Sequence, residues 1–195
     1  GLPNEPAKWP RTLHAELVER VTAAGATVIG FDVLFDDPAE PAGDVRLGAA
    51  LNQAGNAVLA AFLKKTAVGA SQDRQIVLTA EKLIPPVPSI AAGALAVAPF
   101  TLPVVPVRVS QFWTFKASAG NLATFPTTVF QAWMLRQPGE WFADLRGACP
   151  ELEKSLPPMP VGVLAKRQIG RLLQQARNCL TGDEAALATL DAEWR

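Results

Sequence analysis

The chain has 195 residues, the size of one domain or two small ones. Hydrophobic residues make up 49% of it and charged residues 18%, a balance that excludes intrinsic disorder. Basic and acidic residues number 18 each, so the chain has no net positive charge with which to bind nucleic acid. No stretch reaches the roughly 18 consecutive apolar residues of a transmembrane helix.

The first third of the chain alternates helical and strand patterns. Apolar residues at helical spacing predict a first helix that starts at Pro10 and ends at a glycine cap, Gly25. Its inward face would carry Leu13, Leu17, Val18 and Val21. A buried strand over 27–31 follows, and a helix over 44–54 and a strand over 56–61 repeat the pattern. This order predicts a parallel sheet with crossover helices.

The remaining elements are less regular. Residues 64–74 are polar and contain glycine, which favours a surface loop. Shorter strands are predicted at 76–78 and 94–100, and helices at 125–136, 161–180 and 183–194, with a helical turn at 141–145. We therefore predict a three-layer α/β/α core over 1–138. A helical section over 139–195 would pack on this core or form a membrane-proximal or dimer element.

Asp32 is the most suggestive residue for chemistry. It follows a buried strand, so its carboxylate would lie at the edge of the sheet where open α/β folds bind ligands. Asp36 and Asp37 come close behind. The three could belong to a metal or phosphoryl-transfer site or to a ligand pocket, or Asp32 could cap the loop. A haloacid-dehalogenase type of site would need a second aspartate two residues on, where Leu34 stands.

His14 is the single histidine of the chain. Its pKa near neutrality suits a pH sensor or a general base, but the sequence favours a side chain that packs or hydrogen-bonds beside the first helix. The glycine-rich phosphate-binding patterns and the nucleophile elbow of hydrolases are absent from the sequence. Phe112, Trp113 and Phe115 could stack on nucleic-acid bases, but strand alternation favours a core or an interface.

The two cysteines, Cys149 and Cys179, leave two interpretations open. In an oxidising compartment they could form a disulfide, whose closed loop of about 30 residues would contribute roughly 3–4 kcal/mol. They could equally be two reduced, buried thiols. The absence of a Cys-x-x-Cys pair and the single histidine argue against a zinc site. We predict no resident metal and no cofactor.

The opening of the chain resembles a known family. Residues 9–17 read W-P-R-T-L-H-A-E-L, residues 24–26 read A-G-A, and residues 28–35 read V-I-G-F-D-V-L-F. This order resembles the CHASE2 domain, which is marked by W-P-R-x-x-H-A-x-L, an A-G-A step and a strand ending F-D-x-x-F. The likeness continues through residues 51–59 and, more weakly, through 85–133.

The resemblance implies an extracytoplasmic, periplasmic sensory domain of a bacterial inner-membrane receptor. Such receptors usually carry transmembrane helices on both sides, and a cyclase, histidine kinase or serine/threonine kinase inside the cell. Family members usually have a strand just before the W-P pair, where this chain has only Gly1 to Lys8. The region beyond residue 138 also lacks the closing strands that the family leads us to expect.

From these observations we expect a sensor and not an enzyme. The signal would be a small molecule or an environmental change, received near Asp32 with His14, Arg11 and Asp36 as neighbours. The receptor would act as a homodimer, without nucleic acid, and would reach the membrane through segments outside this chain. The alternatives are a hydrolase or phosphotransfer enzyme that uses Asp32, and an oligomerisation module that binds no ligand.

Overall fold

A computed structural model of the chain describes residues 4–71, 76–102, 112–120, 122–134 and 138–154, and positions 172, 175, 176, 178 and 179. The chain divides into two compact units, residues 1–132 and 133–195. Within the described ranges, no helix is long and apolar enough to cross a membrane. The boundary predicted at residue 138, between the sensory core and the helical section, stays a prediction.

Helices and short strands follow one another along the chain. The first unit begins with helix α1 (Arg11–Ala23), strand β1 (Ile29–Phe31), helix α2 (Pro41–Ala54), strand β2 (Ala57–Ser71), strand β3 (Ile76–Ile84), helix α3 (Pro88–Ala91) and strand β4 (Ala96–Pro99). Then come strand β5 (Phe115–Lys116), strand β6 (Leu122–Ala123) and helix α4 (Phe125–Met134). Helix α5 (Pro138–Ala148) belongs to the second unit. Short 3-10 turns lie at Pro6–Lys8, Ala117–Ala119 and Pro150–Leu152.

Strand β2 is the centre of the main sheet. Its first half pairs in parallel with β1 on one side, where Ile29 lies opposite Ala57, and with β4 on the other. Its second half continues as an antiparallel hairpin with β3, which starts at the pair Phe62–Ile84. Strands β5 and β6 form a separate two-stranded sheet. The core of the fold is therefore the short parallel sheet that the sequence predicts.

Side chains of β2 alternate between two apolar layers. Ala57 and Leu59 are buried together with residues of α1, α2 and α3. Val58 and Ala60 are buried on the other face, with Phe125 and Ala132 of α4. This alternation is the period of two that a strand buried on both sides requires. The predicted α/β fold class, with helices flanking the sheet, is confirmed.

Two glycines let α2 and α3 touch through their backbones. A Cβ atom on Gly48 would lie 2.1 Å from the carbonyl oxygen of Ser89, and one on Gly93 would lie 2.2 Å from the carbonyl oxygen of Gly48. Real Cβ atoms essentially never come that close to another heavy atom, so no larger residue fits at either position without a shift of the backbone. The short helix α3 is thereby held against α2.

The surface loop predicted over residues 64–74 is wrong. Strand β2 runs on through Ser71 and pairs with β3, for example Lys64 with Lys82, while residues 72–75 lie outside the described residues. Lys64 and Lys65 are exposed, so this part of the strand needs no apolar face. Its stability comes from pairing with β3, which a polar sequence does not reveal.

The second unit is held by α5 and a disulfide. Phe142 and Leu145 of α5 are fully buried, and the helix is longer than the predicted turn at 141–145. The Sγ atoms of Cys149 and Cys179 are bonded at 2.07 Å, which closes a loop across 30 positions of the sequence. The rest of the predicted helices at 161–180 and 183–194 lies largely outside the described residues.

Candidate functional site

A pocket of about 300 Å³ opens between α1 and β1. Its apolar walls include Trp9, Leu17, Val18, Val21, Ile29 and Phe31. Two of the residues that line it, His14 and Asp32, carry titratable side chains. The volume is at the lower end of the range for small-molecule sites, and a mostly apolar lining with few polar groups is typical of them.

The pocket explains why α1 leaves an apolar side chain in contact with solvent. Leu17 was expected to face the core, but its side chain is 44% exposed and forms part of the pocket wall. Trp9, in the segment that leads into α1, is half-buried and lines the pocket as well. The expectation for Leu17 is wrong because the apolar face of α1 is wider than the contact that the sheet offers it.

His14 is buried among aromatic rings. Its side chain is 2% exposed, and the ring lies edge-on to Phe35 at 5.2 Å between centroids, with Phe31 and Trp9 at 6.1 and 5.9 Å. Neither Nδ1 nor Nε2 has a hydrogen-bond partner among the residues that the structure describes. A buried polar group left without a partner costs about 1–3 kcal/mol. Such a group needs an explanation, and a ligand is one.

Burial disfavours the protonated, charged form of the His14 ring. Desolvation is the largest cause that lowers the pKa of His14 below 6.5, and the charge of Arg11 lowers it further. The carbonyl groups of Pro10 and Pro6 oppose this shift, although neither makes a well-aligned hydrogen bond with the ring. A neutral imidazole carries one donor and one acceptor, and both nitrogens of His14 are shielded from solvent.

Asp32 lies where the sequence places it, directly after β1 at the carboxyl end of the strand. Its side chain is exposed and lines the same pocket as His14. Asp36 is half-buried in the loop that follows and is not one of the residues that line the pocket. Within the described part of the chain, no group of three or more His, Cys, Asp or Glu residues is placed to hold a metal ion.

Arg11 is close to His14 in sequence but is engaged elsewhere. Its Nε donates to Asp44 Oδ1 at 3.3 Å, in an ion pair whose side chains are 5% and 7% exposed. Its Nη1 and Nη2 donate to the carbonyl oxygens of Ala7 and Asp37, and the guanidinium lies 4.6 Å from the centre of the Phe35 ring. Arg11 therefore joins the entry to α1, the β1–α2 loop and α2.

Asp44 is the residue of this region that sequence reasoning missed. Its other oxygen accepts a hydrogen bond from the backbone N–H of Ala39 at 3.1 Å, so one carboxylate holds both Arg11 and the β1–α2 loop. The sequence shows only an acidic residue in the first turn of a helix, a common place for one. Nothing in it joins two positions that are 33 residues apart.

Comparison with known proteins identifies the family. The profile of the CHASE2 domain matches residues 3–170, well over half of the chain. No curated protein and no solved structure matches this chain. CHASE2 domains are extracytoplasmic sensory domains of receptors and not catalytic domains. The chain belongs to the CHASE2 domain family.

Proposed function

We propose that this CHASE2 domain receives the signal of a bacterial transmembrane receptor, and that the signal is a small molecule bound in the pocket between α1 and β1. Membership of a family of extracytoplasmic sensory domains supports the general role. The observation that carries the location is His14, a buried imidazole that lines the pocket and has no hydrogen-bond partner among the described residues.

The pocket is well placed for a ligand to act on the packing of α1. One wall belongs to α1 and another to β1, so a bound molecule would fix the spacing of the two elements. Helix α1 also contacts α2 through Arg46, whose guanidinium donates to both carboxylate oxygens of Glu19 at 2.6 and 2.9 Å. A ligand shifts such an arrangement only if it binds two states with different affinity.

The proposal extends to the rest of the receptor. The domain would lie in the periplasm, and membrane-spanning segments would carry its change of state to a cytoplasmic output domain. That output domain would be an adenylate or diguanylate cyclase, a histidine kinase or a serine/threonine kinase. The receptor would work as a homodimer, since a two-fold pair is the commonest symmetric assembly.

The complete reading frame that encodes this chain tests the receptor topology. We expect apolar spans of about 20 residues on both sides and a cyclase or kinase domain beyond one of them. A complete frame without a membrane span or an export signal would remove the extracytoplasmic role. Light scattering of the complete receptor in detergent tests the dimer, and a monomeric mass would contradict it.

A pair of variants on α1 tests the location of the site. Val21→Trp places a large side chain in the pocket, whereas Ala23→Trp adds the same side chain at an exposed position of the same helix. In a thermal-shift screen of extracellular metabolites, we expect a compound that stabilises the wild type and Ala23→Trp but not Val21→Trp. A compound that stabilises all three equally binds somewhere other than this pocket.

A further inference from the structure

We propose that a second surface of the first unit binds an anionic phospholipid bilayer. This hairpin surface combines lysines and exposed aromatic residues of the β2–β3 hairpin and of the loop beside it: Lys64, Lys65, Lys82, Phe112, Trp113 and Lys116. None of these residues lines the pocket between α1 and β1. The proposal therefore goes beyond the proposed function and does not depend on the pocket or its ligand.

The hairpin surface concentrates positive charge in a chain whose net charge is zero. The described side chains of the hairpin beyond Ala61 and of the loop at 112–120 include four lysines and a single acidic residue, Glu81. Lys64 lies directly opposite Lys82 in the antiparallel register, and both side chains are exposed. Like charges in this position repel each other, and neither lysine has an acidic partner among the described residues. An anion placed between them would relieve that repulsion.

Aromatic side chains lie beside these lysines. Phe112 and Trp113 are 52% and 47% exposed. The Nζ atom of Lys116 lies 5.4 Å from the centre of the Trp113 ring and 3.7 Å from Glu81 Oε2. Because Glu81 is the register partner of Lys65, the aromatic loop and the hairpin meet at this carboxylate. Exposed tryptophan next to lysine is the composition that proteins place at a membrane–water interface.

The hairpin is narrow enough for its lysines to reach one layer of lipid headgroups. Strand β4 pairs with β2 only as far as Ala61, so the described hairpin beyond that residue has two strands. Lys64 and Lys82 share one face of this ribbon, and Lys65 belongs to the other face. Neighbouring strands lie about 5 Å apart, and the lysine side chain is long and flexible, so ammonium groups from both faces can gather on one side.

Two observations favour a lipid surface over other anions. The CHASE2 family is extracytoplasmic, and anionic phospholipid is a polyanion that such a domain meets at the membrane, whereas nucleic acid is not. A free phosphate ion would pair with the lysines and leave Phe112 and Trp113 exposed to water. At a bilayer, the rings enter the headgroup region while the lysines pair with lipid phosphates, and the two contributions add.

Flotation of the chain with lipid vesicles tests the proposal. We expect binding to vesicles made of equal parts of phosphatidylglycerol and phosphatidylcholine, and little binding to vesicles of pure phosphatidylcholine. Binding should be lost at about 1 M salt, where charges are screened over about 3 Å.

A pair of double variants separates the hairpin surface from the net charge of the chain. Lys64→Gln combined with Lys82→Gln should lower the partition coefficient roughly 25-fold, about fivefold for each lysine at the membrane surface. The matched control, Lys8→Gln combined with Lys154→Gln, removes the same charge at two exposed positions elsewhere and should lower it by about twofold at most. All four lysines are exposed, so the fold should tolerate both changes.

Fluorescence quenching tests the contact of Trp113 with the bilayer. Brominated phosphatidylcholine quenches an indole ring that enters the bilayer, and the chain has five tryptophans. Trp113→Phe keeps an aromatic ring, so it should still bind the vesicles. It should lose the quenched part of the wild-type emission, because that part belongs to Trp113.

The contrary outcomes are distinct. Equal binding to both kinds of vesicle would overturn recognition of the anionic headgroup, and equal losses for the two double variants would overturn the hairpin surface as the site. Release from vesicles by inorganic phosphate, with unquenched Trp113, would make this a site for a free anion and overturn the contact with the bilayer. Failure of the wild type to bind either vesicle would overturn the proposal outright. The proposed function is unaffected by these results, since it is tested by Val21→Trp and Ala23→Trp.

Discussion

Replacing Gly48 by alanine sets two effects of opposite sign against each other. In the interior of an ordinary helix, alanine is more stable than glycine by roughly 0.5–1 kcal/mol. At Gly48 the new Cβ atom would lie 2.1 Å from the carbonyl oxygen of Ser89 and 3.0 Å from its carbonyl carbon. The obstacle is backbone, so no side-chain rotation relieves the contact, and α3 must move away from α2.

The magnitude follows from these two terms. Overpacking of a well-packed region costs about 1–3 kcal/mol and occasionally more, and a contact with rigid backbone belongs at the upper end. After subtraction of the gain in helix propensity, we expect Gly48→Ala to lower the free energy of unfolding by about 2–3 kcal/mol. For a chain of 195 residues, that corresponds to a fall in melting temperature of roughly 4–12 °C.

Urea denaturation followed by circular dichroism measures the change. The matched control is Ala49→Gly, at the next and exposed position of α2, which should lose only about 1 kcal/mol from helix propensity. If Gly48→Ala is as stable as the wild type, or more stable, the backbone contact between α2 and α3 is not present as described and the reasoning fails.

Three further predictions concern stability. Arg11→Met and Asp44→Leu should each lower the free energy of unfolding by about 3–5 kcal/mol, because each leaves a buried charge unpaired. The double variant should lose less stability than the sum of the two single variants. Additive losses in urea denaturation would contradict the ion pair. Reduction of the Cys149–Cys179 disulfide should lower the stability of the second unit by about 3–4 kcal/mol, measured with and without reductant, and no change would contradict a role in stability. The folded-state pKa of His14 lies below 6.5, so the unfolded chain takes up its proton first. Wild-type stability should therefore fall as the pH drops through about 6.5 towards the folded pKa, and a parallel profile for His14→Phe would contradict this.

Local patterns predict the elements around the pocket well. Gly25 and Gly55 both adopt positive φ, at +88° and +66°, just after helices that end where the sequence indicates. The fully buried Leu47 and Leu51 have the spacing of one helix face. The second half of β2, which pairs with β3, could not be predicted in this way. Its exposed lysines show no apolar alternation, and its pairing depends on residues of another strand.

The candidate site could be predicted only in part for the same reason. Asp32 follows a strand and His14 lies on the adjacent helix, so local structure is enough to place both near one end of β1, and the structure brings them to one pocket. Arg11 shares the helix with His14, yet its partners come from Ala7, Asp37 and Asp44. The choice between binding a ligand and holding a loop depends on those distant contacts, which no local pattern contains.

His14 supports the proposed location of the ligand site because it differs from the other described residues that have unpaired polar atoms. Asn56 also has an unpaired oxygen, but its Nδ2 donates to the carbonyl oxygen of Ala26 at 2.8 Å, so that side chain already has a structural role. Thr22 and Thr101 each leave one hydroxyl unpaired, and neither lines the pocket. His14 has both polar atoms unpaired, and it lines the pocket. Natural proteins depart from the rule of satisfied buried polar groups mainly at functional sites, and here the departure coincides with a cavity in a sensory domain.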